Sequence, residues 1–96
     1  MVVTMLEAEV SEDQAELLVE AFRGAGDSLP PFILESFLLN VRGSDLWKVV
    51  TVWASQDALD QYRSRVETPE GVAMFQAAGA EPTLSIHDVG AHATST

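Results

Sequence analysis

The chain has 96 residues, 47% of them hydrophobic and 21% charged, and its 15 acidic and 5 basic residues give a formal net charge of −10. This length accommodates a single domain, and the composition excludes a disordered or low-complexity chain. An acidic surface repels phosphate backbones and anionic lipids, so we expect neither a nucleic-acid nor a membrane partner. The absence of cysteine excludes disulfides and thiolate metal sites, and the lack of a signal-peptide pattern favours a cytoplasmic protein.

The first predicted elements are a strand and a helix. Residues 2–10 have the alternation of a strand, with these apolar side chains on one face: Val2, Leu6, Ala8 and Val10. Ser11 is predicted to open the helix through a capping box with Gln14. Gly24 and Gly26 are predicted to end it.

The next two strands are predicted to form a hairpin. Residues 32–42 make a strand with apolar groups on both faces, and one face carries Ile33, Glu35, Phe37, Leu39 and Val41. A tight turn at residues 43–45 leads into a strand at residues 46–53. The side chains that share one face of this third strand are Trp47, Val49, Thr51 and Trp53.

The last part of the chain is predicted to hold two helices and a strand. Ser55 is expected to cap one helix, and Thr68 followed by Pro69 marks the start of a shorter one. The pattern of residues 83–89 predicts a final strand. Residues 1–90 are predicted to form a single domain, and residues 91–96 are predicted to form a flexible tail. This order predicts an α+β, ferredoxin-like βαββαβ fold, in which helices cover one face of a four-stranded antiparallel sheet.

The second face of the sheet is predicted to need a cover as well. Val3 and Met5 on the first strand, with Val50 and Val52 on the third, are too apolar for a face in contact with water. Two copies of the chain can bury these residues by packing their sheets face to face. The pattern therefore predicts a homodimer.

Residues 49–62 (VVTVWASQDALDQY) combine a strand, a Trp-x-Ser junction and an amphipathic helix flanked by acidic residues. This segment resembles the antibiotic biosynthesis monooxygenase (ABM) family. The resemblance covers nearly the whole chain, through Ala21-Phe22, residues 74–78 (MFQAA) and residues 87–90 (HDVG). It implies the dimeric α/β-barrel fold, and the family includes cofactor-independent polyketide oxygenases and heme-degrading monooxygenases.

The resemblance also implies roles for particular positions. The heme-degrading branch uses an asparagine on the first strand, a tryptophan at the end of the third strand and a histidine ligand; these positions hold Leu6, Trp53 and Gly79. Leucine offers no hydrogen bond to iron-bound oxygen and glycine offers no ligand atom, so heme degradation is not expected. The polyketide-oxidising branch uses an asparagine before the tryptophan and a tyrosine after it, where this chain has Val49 and Leu59. No cofactor and no metal are expected.

The candidate ligand pocket lies between the sheet and the helices. The residues predicted to line it are Trp53, Trp47, Leu6, Tyr62 and Phe75. An indole in a small core needs a partner for its N–H and often lies at a cavity wall. The alternative is that these side chains fill the core, which the helical spacing of Tyr62 and Phe75 also allows.

The candidate catalytic groups are Glu35 and His87. Glu35 is predicted to share an apolar face with Ile33, where a carboxylate can serve as a proton acceptor. The alternative is an ion pair with Arg42 or Lys48. His87 can act as an acid or a base near neutral pH, and its alternative is a solvated or hydrogen-bonded strand histidine.

Two functions stay open at this point. The first is a cofactor-independent monooxygenase for a small aromatic or quinol-like substrate, which reduces oxygen directly in a dry pocket shaped by Trp53. The second is a non-catalytic dimeric module that binds a small apolar ligand, or simply a protein of this fold that retains no chemistry. The missing polar positions favour the second function, and the retained tryptophan favours the first.

Overall fold

The helices and strands follow the predicted order in a computed structural model that describes residues 1–95. They are β1 (Val2–Glu9), α1 (Glu12–Gly26), β2 (Ile33–Asn40), β3 (Leu46–Trp53), α2 (Gln56–Arg65), α3 (Glu70–Ala77) and β4 (Thr83–Asp88). Residues 91–95 of the predicted tail form no helix or strand, and Thr96 lies outside the described residues. No helix within residues 1–95 has the length and apolar character that crossing a membrane requires.

The strands form one antiparallel sheet in the order β2-β3-β1-β4. One face of the sheet packs against the helices and carries Val2, Thr4 and Leu6; we call it the helix side. The opposite face carries Val3 and Met5, and we call it the open face. The central strands β1 and β3 alternate in burial because one face packs against the helices, whereas the edge strand β4 is exposed throughout. This arrangement confirms the predicted ferredoxin-like α+β fold.

A β-bulge in β2 changes which of its residues share a face. Ile33 pairs with Trp53 but Glu35 pairs with Val52, because the register shifts between Ile33 and Glu35. Ile33 therefore lies on the helix side with Trp53, and Glu35 lies on the open face with Val52. The prediction that Ile33 and Glu35 share one face is wrong, since strict alternation does not account for the extra residue, Leu34.

The helix starts agree with the capping predictions in one case of three. Ser55 caps α2, where its hydroxyl oxygen accepts a hydrogen bond from the N–H of Ala58 at 3.1 Å. Ser11 precedes α1 without a side-chain capping bond, so the predicted capping box does not form. Pro69 is the N-cap of α3, and no side chain caps this helix in the way predicted for Thr68.

Two groups of buried residues hold the helices on the sheet. The larger group joins β1 and β3 to α1 and α3, and in it Leu18 and Phe75 have no exposed surface. The smaller group joins Val2 and Trp53 to Leu59 of α2. Burying a side chain of this size stabilises the fold by about 1.5–3 kcal/mol relative to leaving it exposed. Members of both groups line the cavity that forms the candidate site.

Candidate functional site

A cavity of about 190 Å³ lies between the helix side of the sheet and the three helices. Residues of β1, β2 and β3 form its floor, and α1, α2, α3 and the loop before β2 form its walls. Leu84 and Ile86 of β4 line one side and are 42% and 43% exposed, so this side of the cavity reaches solvent. The lining is mainly aliphatic and aromatic, which is typical of sites for apolar ligands.

At the cavity wall, α3 approaches β1 closely, with the backbone of Gly71 against the side chain of Leu6. Gly71 lies in the first turn of α3, and a Cβ atom at this position would be 2.7 Å from Leu6 Cδ1. Real Cβ atoms do not come so close to a neighbour, so any larger residue would displace Leu6. Glycine therefore permits the close approach, and Leu6 and Gly71 both line the cavity.

Trp53 lies at the end of β3 and is 5% exposed. Its indole Nε1 donates a hydrogen bond to the hydroxyl oxygen of Thr4 at 2.9 Å. The ring stacks against Phe32 at a centroid distance of 6.1 Å and is tilted against Tyr62 at 5.2 Å. These contacts fix the indole in one orientation at the cavity wall.

Three hydroxyl side chains lie side by side in the cavity floor, and we call them the hydroxyl row: Ser36, Thr51 and Thr4. Thr51 pairs with Thr4 in the register of β1 and β3, and with Ser36 in the register of β2 and β3. Ser36 Oγ and Thr51 Oγ1 are 3.0 Å apart and share a hydrogen bond. The hydroxyl row is the polar part of a floor that is otherwise apolar.

Tyr62 connects α2 to the start of α3 at the cavity wall. Its hydroxyl oxygen accepts a hydrogen bond from the backbone N–H of Glu70 at 2.9 Å, which satisfies one of the free N–H groups at the start of α3. Among residues 1–95, the charged residues that line the cavity are Arg63 and Glu70, and both are exposed. The interior of the cavity is therefore uncharged.

The structure brings together three of the five residues predicted to line the pocket. Trp53, Leu6 and Tyr62 surround the cavity. Trp47 instead lines a separate shallow depression beside the turn between β2 and β3. Phe75 lies in the core with no exposed surface and does not reach the cavity wall. Trp47 and Trp53 share a strand face, but they lie at opposite ends of β3.

Glu35 and His87 lie on the open face of the sheet, opposite the cavity, and both are exposed. His87 Nε2 is 2.9 Å from Ser85 Oγ, so the histidine is hydrogen-bonded within its own strand. Lys48, one of the partners predicted for Glu35, instead forms an ion pair with Glu7 at 3.5 Å. The sheet separates both candidate catalytic groups from the cavity of the same chain, and neither reaches a ligand there.

The sequence-based prediction missed the hydroxyl row. Thr4 is in phase with Val2 and Leu6, so the alternation of β1 carried a signal for its place on the buried face. No pattern in the sequence indicated that Thr4 lies beside Thr51 and Ser36. This arrangement depends on the register between strands, which a single sequence does not specify.

Comparison with known proteins identifies the family to which the chain belongs. A model of the antibiotic biosynthesis monooxygenase family matches residues 1–78. The chain therefore belongs to this family, which confirms the resemblance seen in the sequence. No curated protein matches the chain.

Solved structures with the same fold include proteins of different activities. SnoaB, a cofactor-independent oxygenase from Streptomyces nogalater, is 18% identical, with a TM-score of 0.68 over 95% of this chain and 95% of that chain. The heme-degrader MhuD from Mycobacterium tuberculosis, with two hemes bound in its active site, is 25% identical, with a TM-score of 0.67 over 98% of this chain and 100% of that chain. A conserved protein from Methanosarcina mazei Go1 is 9% identical, with a TM-score of 0.69 over 90% of this chain and 89% of that chain.

Two positions that the resemblance connects with heme degradation have other structural roles here. Leu6 fills the space between β1 and α3. Gly79 ends α3 with a φ of +77°; its N–H donates to the Gln76 carbonyl at 3.0 Å, and the N–H of Ala80 donates to the Phe75 carbonyl at 2.9 Å. This is the usual pattern of a helix that ends at glycine, and a histidine at this position would be strained.

Proposed function

We propose that the protein is a cofactor-independent monooxygenase that oxidises a small aromatic or quinol-like substrate in the cavity beside Trp53. The observation that carries the proposal is an apolar cavity of about 190 Å³ against this tryptophan, in a chain of the antibiotic biosynthesis monooxygenase family. The shared fold with SnoaB, a cofactor-independent oxygenase, supports the same reaction class.

The size of the cavity favours a small substrate. Pockets for drug-sized ligands measure roughly 300–1,000 Å³, and this cavity of about 190 Å³ is smaller. It suits a monocyclic or bicyclic aromatic compound better than a porphyrin. Aliphatic side chains such as Val49, Met74 and Ile86 would contact the faces and edges of the rings.

A substrate of this class supplies its own electrons. An ionised phenol transfers electron density to dioxygen, a C–O bond forms at the ring carbon opposite the hydroxyl group, and loss of water from the resulting hydroperoxide leaves a quinone. For 1-naphthol, one dioxygen molecule gives one naphthoquinone and one water, so one oxygen atom enters the product and the other leaves as water. The protein holds the substrate in position and excludes bulk water.

The cavity constrains which substrates can react. Glu35 and His87 lie on the opposite face of the sheet, and Glu70, the carboxylate residue that lines the cavity within residues 1–95, is exposed. We therefore propose that the substrate is a phenol or enol that ionises readily. Its proton passes to Glu70 or to water at the cavity opening.

Oxygen uptake with 1-naphthol tests the proposal. We expect dioxygen consumption and naphthoquinone formation that both scale with protein concentration. Trp53→Phe should lower the rate about tenfold or more, because the substrate loses a wall that fixes its position. Trp47→Phe is the matched control and should keep the rate, since Trp47 lies outside the cavity. A rate no higher than that of the protein-free solution would contradict the proposal for this substrate class.

A non-catalytic dimeric module that binds a small ligand is the second candidate function. The observation in its favour is the position of Glu35 and His87, which leaves the cavity interior without an ionisable base. Binding of 1-naphthol without oxygen uptake would assign this function instead.

We also propose that two copies pack through the open faces of their sheets. The apolar residues of this face are Val3, Met5, Phe37, Leu39, Val50 and Val52, and Phe37 and Leu39 are 46% and 47% exposed. A contiguous apolar surface of this kind is typical of an interaction site. A second copy presents the same surface, so a symmetrical dimer buries both faces at once.

A further inference from the structure

We propose that the hydroxyl row in the cavity floor binds an oxygen acceptor of the ligand, such as a carbonyl or phenolate oxygen. The row lies on three adjacent strands, with Ser36 on β2, Thr51 on β3 and Thr4 on β1. This inference deepens the proposed function by naming the polar group of the ligand. It rests on that function only in placing a ligand in the cavity.

The first support is the burial of the hydroxyl row. Thr4 and Thr51 are 8% and 9% exposed, and their neighbours on the helix side of the central strands include Leu6 and Val49. Burying a hydroxyl group without a full set of hydrogen bonds costs about 1–3 kcal/mol. Thr4 already accepts from the Trp53 N–H, and Thr51 already bonds Ser36, so each buried threonine makes one hydrogen bond within the protein. A hydroxyl group has a capacity of one donor and two acceptor sites, and a ligand oxygen in the cavity uses the part of it that the protein leaves open.

The second support is the number of hydroxyl hydrogens that lack an acceptor. Each hydroxyl carries one hydrogen. The contact between Ser36 and Thr51 uses one of the three, and Thr4 acts as the acceptor for the Trp53 N–H. Within residues 1–95, no acceptor is found for the hydrogen of Thr4 or for the other hydrogen of the Ser36–Thr51 pair. Two donors therefore remain, as many as one carbonyl oxygen accepts with its two lone pairs.

Trp53 is a positioning residue in this arrangement. Its Nε1–H occupies a lone pair of Thr4 Oγ1, and this bond directs the Thr4 hydrogen away from the indole. The indole N–H is then no longer free to donate to a ligand. The tryptophan thus acts on the polar group of the ligand through Thr4.

The hydroxyl row and the apolar lining of the cavity together favour a ligand that carries an oxygen atom at one edge and is otherwise apolar. The oxygen lies over the hydroxyl row, and the rings extend toward Met74 and Leu84. A ketone, a quinone or a phenolate meets this description. A hydrocarbon of the same shape leaves the donors of the row unsatisfied, and binding a primary ammonium places donors against donors.

Titration calorimetry with a matched pair of bicyclic probes tests the inference. The probes are 1-tetralone, which carries one carbonyl, and tetralin, the corresponding hydrocarbon. The wild-type protein should bind 1-tetralone about tenfold more tightly than tetralin, through hydrogen bonds of ordinary strength. The double variant Ser36→Ala/Thr51→Val leaves one free donor, on Thr4, in place of two. It should remove most of this preference and leave the affinity for tetralin within about twofold, because alanine and valine keep most of the shape of the original side chains.

Thr83→Val is the control, since the hydroxyl of Thr83 belongs to the open face of β4, and it should keep the wild-type preference. If this variant fails to fold, Thr4→Val/Trp53→Phe replaces it, since it removes the Thr4 donor without freeing the indole N–H. Equal affinity of the wild type for the two probes, or an unchanged preference in the variants, would overturn the role of the hydroxyl row and leave the cavity as a ligand site. No binding of either probe would overturn the proposed function and this inference together.

Discussion

Trp53 and Thr4 are joined by a hydrogen bond of 2.9 Å from the indole Nε1 to the threonine hydroxyl. The bond is diagonal across the sheet, because Trp53 pairs with Val2 in the register and Thr4 pairs with Thr51. It satisfies a buried indole N–H that would otherwise cost free energy. It also connects the aromatic wall of the cavity to its polar floor.

A double-mutant cycle measures this connection. Trp53→Phe should lower the free energy of unfolding by about 1–3 kcal/mol, since it removes part of a buried ring and one hydrogen bond. Thr4→Val should have a smaller effect, and the double variant should lose less than the sum of the two by about 0.5–1.5 kcal/mol. Urea denaturation of the four proteins provides the free energies. Additive losses would show that the bond contributes nothing to stability.

Indole fluorescence reports ligand binding at the cavity. In a Trp47→Phe background, Trp53 is the sole tryptophan, and 1-naphthol should quench or shift its emission in a saturable way because the indole lies at the cavity wall. In a Trp53→Phe background, the emission of Trp47 should respond little, since Trp47 lines a different depression. If no planar aromatic compound changes the Trp53 signal, this side chain only fills the core.

The open face of the sheet determines the oligomeric state that we expect. Sedimentation at micromolar concentration should show a dimer of the 10.4 kDa chain. Val50→Glu places a charge at the centre of that face, between Met5 and Phe37, and should shift the protein to a monomer. Leu17→Glu, at an exposed position on α1, is the matched control and should leave the dimer intact. A wild-type monomer would exclude the proposed packing.

Heme should not be degraded by this protein. The resemblance places Leu6 and Gly79 where the heme-degrading branch has its asparagine and its histidine, and Gly79 has the positive φ of a helix-ending glycine. Addition of heme and a reductant should therefore produce neither a histidine-ligated Soret spectrum nor a breakdown product. Stoichiometric binding followed by loss of the Soret band would contradict this expectation.

Gly71→Ala should narrow the cavity and destabilise the fold. The new Cβ would be 2.7 Å from Leu6 Cδ1, so Leu6 must turn away, and overpacking of this kind costs about 1–3 kcal/mol. The variant should also bind 1-naphthol more weakly. Gly24→Ala is the control: apart from the adjacent residues and the backbone of α1, no atom lies within 4 Å of its added Cβ, and alanine should stabilise the last turn of α1 slightly. Thermal unfolding of the two variants distinguishes the outcomes; equal midpoints would contradict the close packing at Gly71.

The order and class of the elements were determined by the sequence itself. Alternation in residues 2–10 and 46–53, and a capping serine at position 55, depend on near neighbours in the chain, and β1, β3 and α2 form where these patterns predict. The family was equally visible, because the segment around Trp53 and Ser55 combines a strand, a junction and a helix in one continuous stretch. Local patterns of this kind are sufficient to predict a βαββαβ fold.

Which residues form the candidate site is determined by the tertiary structure. The β2 bulge separates Ile33 from the face that Glu35 shares with Phe37, so Ile33 lines the cavity and Glu35 lies on the open face. The register of β2 and β3 places Ser36 beside Thr51 in the cavity floor. Trp47 and Trp53 share a strand face, but the helices enclose the cavity at only one end of β3. Among the tryptophans of residues 1–95, Trp53 therefore lines the cavity and Trp47 does not. These outcomes depend on register and on packing between segments far apart in the chain, and a one-residue shift in register sends a side chain to the opposite face of the sheet.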